Sequence, residues 1–167
     1  MRFKPVPEPP ADLAFVAEAQ RALPLVPGSE DDCCARLVSR TDLPARDEAR
    51  RWLTFLRALG LAEETHSGGF VRVRRDPDPD ALAAAFHERV FGAREVLSIL
   101  DAADRPLAPD AVFERFAAHV PKWERDRMPG EWRDLWGERV ARLLGWAALF
   151  GLAEVVDGGY RRTDARV

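Results

Sequence analysis

The stretch Leu37-Val38-Ser39-Arg40-Thr41-Asp42-Leu43-Pro44-Ala45-Arg46-Asp47-Glu48-Ala49-Arg50-Arg51-Trp52-Leu53 decides the fold. It reads as a helix end, a tight turn at Thr41-Asp42-Leu43-Pro44, and a second helix running from about Ala45 to Leu59. Pro44 suits the first helical position, because its ring presets φ and the amide hydrogen it lacks has no partner there. Ala49, Trp52, Leu53, Leu56 and Leu59 fall on one side of that helix and predict a core stripe. Arg46, Arg50, Thr54 and Arg57 follow at spacings of four, four and three and share the other side, with Asp47 and Arg51 flanking them. Gly60 is placed to stop the helix.

Upstream, Ser29 stands three residues before Asp32, a capping pattern for a helix that runs through Cys33, Leu37 and Val38. An earlier helix is predicted by Leu13, Val16, Ala17, Gln20 and Leu23, with Gln20 its one polar member, and Pro24, Pro27 and Gly28 end it. Residues 1–11, rich in proline, read as an extended arm. Downstream, Ser67-Gly68-Gly69 leads into Phe70-Val71-Arg72-Val73-Arg74, whose alternation predicts a hairpin strand with Arg72 and Arg74 on one side. Asp76-Pro77-Asp78-Pro79-Asp80 marks a boundary, and a linker helix is expected from about Ala81 to Val90.

The second half begins with helical stripes at Ala93, Val96, Leu97, Leu100 and at Val112, Phe113, Phe116, Ala117, Val120. The charged stretch from Pro121 to Pro129 reads as irregular, with room for a turn of helix. A long helix with Leu135, Trp136, Val140, Leu143, Leu144 and Ala147 inward closes at Gly151.

The halves share an ending. Leu59-Gly60-Leu61-Ala62-Glu63 matches Phe150-Gly151-Leu152-Ala153-Glu154, and Trp52-Leu53 with Phe55 matches Leu143-Leu144 with Trp146. Gly68-Gly69-Phe70 begins eight residues after Gly60, and Gly158-Gly159-Tyr160 seven after Gly151. One residue fewer in the hairpin tip accounts for the difference. The repeated order of helix, helix, long helix, Gly-Leu and Gly-Gly-aromatic indicates duplication or shared architecture, with too few copies for a solenoid. The expected fold is therefore mainly α with small β-hairpin wings (α+β), organised as an arm over 1–11, a first unit over 12–76, a linker helix over 77–91 and a second unit over 92–167.

The first half, through the stretch quoted above and the join Leu59-Gly60-Leu61, resembles prokaryotic winged helix-turn-helix transcription regulators. The second half fits the same order more loosely, with a longer loop around Lys122 to Gly130. The resemblance implies a tandem winged-helix protein that binds duplex DNA as a transcription regulator. Arg46, Asp47, Arg50, Arg51, Thr54 and Arg57 would then lie toward the major groove. Arg72, Arg74 and Arg75 of the wing would hold phosphate or enter the minor groove. Such domains usually act as two-fold dimers, so a homodimer through the second unit or the linker helix is expected. A competing expectation is a protein-interaction scaffold, as in chromosome-associated complexes built on tandem winged helices. Asp47 and Glu48 beside Arg50 and Arg51 suit surface ion pairs, and Trp123 with Trp132 flank a loop suited to a protein partner. On the long helix of the second half Arg133 and Arg142 are offset by Asp134 and Glu138, while Arg161, Arg162 and Arg166 make its hairpin and tail basic.

Composition sets bounds on these readings. The chain has 167 residues, 47% hydrophobic and 32% charged, a globular balance. Its formal charge of -3 argues mildly against a dedicated nucleic-acid protein, although clustering outweighs a net value. Lysine occurs at positions 4 and 122 alone, so arginine carries nearly all the positive charge, as GC-rich coding would also give. No segment has the roughly 20 apolar residues of a membrane helix, and Met1 to Pro10 lacks the apolar run of a signal peptide. A cytoplasmic protein without membrane contact is expected.

Little suggests an enzyme. Cys33 and Cys34 are neighbours, poorly placed to bridge, and suit packing. His66, His87 and His119 fall in separate elements without metal-ligand spacing. The glycine pairs sit between strand-like segments, as turns do, so neither cofactor nor metal is expected.

Overall fold

The computed structural model describes residues 5–163, so Arg2, Lys4 and Arg166 lie outside the described residues. The chain divides into two compact units, Met1–Arg89 and Val90–Val167. Each is a winged helix, in which three helices in the first unit and four in the second lead into a two-stranded antiparallel hairpin.

In the first unit, α1 spans Ala14–Ala22, α2 Glu30–Arg40 and α3 Arg46–Ala58. The hydroxyl of Ser29 accepts from the Asp32 amide at 3.0 Å, and three acids in the first turn of α2 complement its dipole. Thr41 makes the turn: its hydroxyl donates to the Leu37 carbonyl and accepts from the Leu43 amide. That closure takes up the residues after α2, so Ala45 is the extended N-cap of α3 and Arg46 its first residue. Pro44 therefore lies outside the helix, one residue before the cap, and not at the first helical position. Ala49, Trp52, Leu53, Leu56 and Leu59 are all buried, as the stripe required. The extended arm is packed at Val6 and Pro7, both buried.

Helix α3 ends in a Schellman motif. The Leu61 amide donates to Leu56 at 2.9 Å and the Gly60 amide to Arg57 at 3.1 Å, with Gly60 at φ +80°. Strands β1, Ala62–Glu64, and β2, Phe70–Arg72, follow. A bridge between Gly28 and Phe70 adds a third strand to the hairpin. The strand ends at Arg72, one further bond joins the Val73 amide to Leu61, and the chain then bends at Arg74 and Arg75. The expected alternation from Arg72 to Arg74 is thus absent. Arg72 folds back with Nε 3.2 Å from the Leu23 carbonyl, while Arg74 is exposed. Helix α4, Pro79–Arg89, is capped by Asp78, buries Leu82 and Phe86 and packs on α3.

Gln20, the polar exception in the first helical stripe, is 3% exposed. Its Nε2 reaches the carbonyls of Val73 at 3.0 Å and Arg75 at 2.9 Å, tying α1 to the exit of the hairpin.

The second unit repeats the plan with α5 Ala93–Ala102, α6 Pro109–Phe116, α8 Trp132–Leu149, β3 Ala153–Val156 and β4 Gly159–Arg162. Its long helix ends in the same motif, Leu152 to Ala147 at 2.8 Å and Gly151 to Ala148 at 3.1 Å. A bridge from Leu107 to Tyr160 again supplies the third strand. The hairpin tip is the two-residue turn Asp157-Gly158, both at positive φ.

Two expectations for this unit are corrected. The 121–129 stretch forms a defined helix, α7, Lys122–Arg127, after a 3-10 turn at Ala117–His119. A buried carboxylate orders it: Glu124 accepts from Arg127 at 2.8 Å and from the Trp136 indole at 3.2 Å. Leu135 is 46% exposed, not inward. The buried stripe of α8 runs from Trp136 through Val140, Leu143 and Leu144 to Ala147, and Leu135 falls beside it.

Candidate nucleic-acid interface

Helix α3 turns Arg46, Asp47 and Arg50 to solvent, with Arg51, Thr54 and Arg57 half-buried beside them. The arginines do not stand free. Arg46 pairs with Asp31 at the start of α2. Arg50 reaches Asp47 at 3.3 Å and Glu30 at 3.7 Å. Arg51 holds Glu48 at 2.6 Å. Arg57 holds Glu64 of β1 at 3.1 Å while its guanidinium covers Phe70, 5.2 Å from the ring centre. Four guanidiniums therefore face five carboxylates. The sequence suggested Asp47 and Glu48 as partners. Glu30, Asp31 and Glu64 come from other elements and become visible when α2, α3 and β1 pack together.

Charge on the hairpin is distributed differently. Arg72 is half-buried against the Leu23 carbonyl. Arg75 donates to the Gly60 carbonyl at 3.4 Å, and no carboxylate lies within ion-pair distance of Arg74 or Arg75 among the described residues. Among these candidate residues, the arginines without a carboxylate partner thus stand on and after β2 and not on α3.

In the second unit the corresponding surfaces are neutralised. Arg133 pairs with Glu114 through two contacts, Arg142 with Glu138 at 2.7 Å, Arg161 with Glu154 at 2.6 Å and Arg162 with Asp101 at 3.5 Å. Arg139 lies under Trp136 and donates to the Phe91 carbonyl at 3.4 Å, and burial lowers its pKa to about 10. The two loop tryptophans differ. Trp123 is 41% exposed on α7. Trp132, half-buried, packs near Phe113 with the Arg125 and Arg133 guanidiniums 4.8 and 5.3 Å from its ring centre.

Burial pushes the Cys33 thiol up to about 11 and raises that of Cys34 as well, so both are protonated at neutral pH and poor nucleophiles. His66 is exposed in the first hairpin tip, His87 lies in α4 and His119 in the 3-10 turn. Among the described residues no group of three or more His, Cys, Asp or Glu is placed to hold a metal ion, and no helix is long and apolar enough to cross a membrane.

A family model, the halobacterial double winged helix domain, matches residues 1–167. No curated protein and no solved structure matches the chain. Winged-helix domains are generally DNA-binding or regulatory and generally not enzymes.

Proposed function

For this chain, which belongs to the halobacterial double winged helix domain family, we propose a transcription regulator that binds duplex DNA through its first unit. Arg72, Arg74 and Arg75 would grip the phosphate backbone, and Arg46, Arg50, Thr54 and Arg57, flanked by Asp47 and Arg51, would read bases. The observation that carries this reading is the division of charge between hairpin and helix. Arg74 and Arg75 have no carboxylate partners among the described residues, whereas every arginine of α3 has one.

Magnitudes indicate how such a surface would work. An exposed ion pair is worth about 0–1 kcal/mol, and a bidentate arginine-guanine contact discriminates by about 1–3 kcal/mol. Exchanging Asp31 or Asp47 for a correctly placed guanine is favourable, but the carboxylates that remain repel phosphate. Helix α3 is then suited to select a sequence and poorly suited to non-specific attachment. Binding of the full chain to random duplex DNA across a salt series tests this. The expected slope corresponds to about two or three phosphate contacts, well short of the six to ten of a strongly basic binder. No binding at low salt would retire the proposal.

The carboxylates on α2 and α3 also favour a second reading, a protein-interaction scaffold. In the second unit Trp123, Leu135 and Val155 are 41%, 46% and 62% exposed, suitable for an apolar partner. Under that reading Trp123 and Trp132 would border the contact.

A further inference from the structure

We infer that the base of the first hairpin is a phosphate-binding site formed by Arg75 and Arg89. Helix α4 thereby adds a residue to the backbone-contacting set from outside the helix-turn-helix. The site is built around Gly60. With φ +80° and no side chain, Gly60 leaves a space into which two guanidiniums converge. A Cβ placed on Gly60 would lie 3.7 Å from Arg89 Nη1 and 3.9 Å from Arg75 Nη2. The two groups reach one point from different elements, Arg75 from the bend after β2 and Arg89 from the last turn of α4.

Neither guanidinium has a carboxylate within ion-pair distance among the described residues. Among the described residues, the one hydrogen bond of the Arg75 side chain is the long one to the Gly60 carbonyl, 3.4 Å. Three arginines and two glutamates line the groove, which has a volume of about 450 Å³. Of the glutamates, Glu64 is committed to Arg57, and Glu63 is exposed. Two convergent, unneutralised guanidiniums repel each other until an anion lies between them. Phosphate suits the gap, since it accepts from both in charge-assisted bonds of about 2.8 Å. The position is also held firmly. Gln20 fixes the Arg75 carbonyl, the Schellman turn fixes Gly60, and the Asp78 cap fixes the start of α4.

The source of the phosphate, a DNA backbone or a free phosphate, rests on the reading given under the proposed function, and two arms separate them. In the first, the full chain and its R75Q, R89Q and R89K variants bind random duplex across a salt series, with R21Q as an exposed control that does not line the groove. R89Q and R75Q should each lower the slope of log K against log salt by about 0.9, R89K and R21Q should not. In the second, inorganic phosphate is titrated while the Gly60 amide and the arginine Nε–H signals are followed by NMR. Saturable shifts that vanish in the R75Q/R89Q double variant are expected. Phosphate binding without DNA binding keeps the site and defeats the DNA reading. DNA binding with an unchanged slope in R89Q, or silence at Gly60 on phosphate addition, overturns the site.

Discussion

The amide of Tyr160 donates to the carbonyl of Leu107 at 2.8 Å, and the Leu107 amide donates back to Tyr160 at 2.9 Å. Phe70 and Gly28 exchange the same two bonds at 2.8 and 3.0 Å. Each glycine pair ahead of the aromatic serves this bridge. Gly68 and Gly158 take positive φ, while Gly69 and Gly159 let the third strand approach.

A side chain at Gly159 would meet the Leu107 backbone at 3.0–3.1 Å, which cannot yield as a flexible side chain can. Gly159→Ala should therefore destabilise the protein by about 1–3 kcal/mol. Gly130→Ala, at a position with nothing within 4 Å, should change stability far less. Equal urea midpoints for the two variants would contradict the role assigned to the bridge.

Gln20→Leu keeps the volume and removes the donors to Val73 and Arg75. Those carbonyls lose a buried partner, and the expected loss is about 1–3 kcal/mol in chemical denaturation. Faster exchange of the Val73 amide should accompany it, because Gln20 holds the hairpin exit. An unaltered exchange rate would show that the exit is held by other means.

Helix α3 should bind DNA differently when its carboxylates are removed. Glu30→Gln with Asp31→Asn frees Arg50 and Arg46 from α2, and binding to random duplex should strengthen severalfold and depend more steeply on salt. Arg46→Ala with Arg50→Ala should instead abolish preference among sequences while leaving hairpin-driven attachment. Preference that survives the arginine variant would remove α3 from the reading surface.

Glu124 is 8% exposed and accepts from Trp136 and Arg127. In Glu124→Ala the indole loses its acceptor, so α7 should detach. Limited trypsin digestion then becomes fast at Lys122, Arg125 and Arg127. Wild-type resistance in the variant would mean that α7 is fastened elsewhere.

The parts of the fold legible in sequence are those whose chemistry is local. Gly60 and Gly151 announced helix ends because a left-handed residue there is close to a backbone necessity, and Ser29 announced a helix start because its hydroxyl acts three residues away. Helix α7 was harder to read, since it depends on Glu124 finding Trp136 on another element. Leu135 deceived for a related reason: α8 carries apolar residues on more than one side, so periodicity does not single out the inward one. The pairing of α3 with Glu30, Asp31 and Glu64 joins residues 7 to 20 positions apart, and their neighbourhood exists only after packing. Gln20 was visible as an anomaly, and its reason came from carbonyls more than fifty positions away.

The Schellman turn fixes each hairpin at its base, at the glycine stop, and the third-strand bridge fixes it near the tip, at the aromatic. The tip carries neither constraint, and the two units differ there, with a Thr65–Gly69 loop in one and a bare Asp157-Gly158 turn in the other. The hairpin is thus a socket with an interchangeable end. Tip length and charge can drift, or be grafted from one unit to the other, while the helices beneath keep their packing.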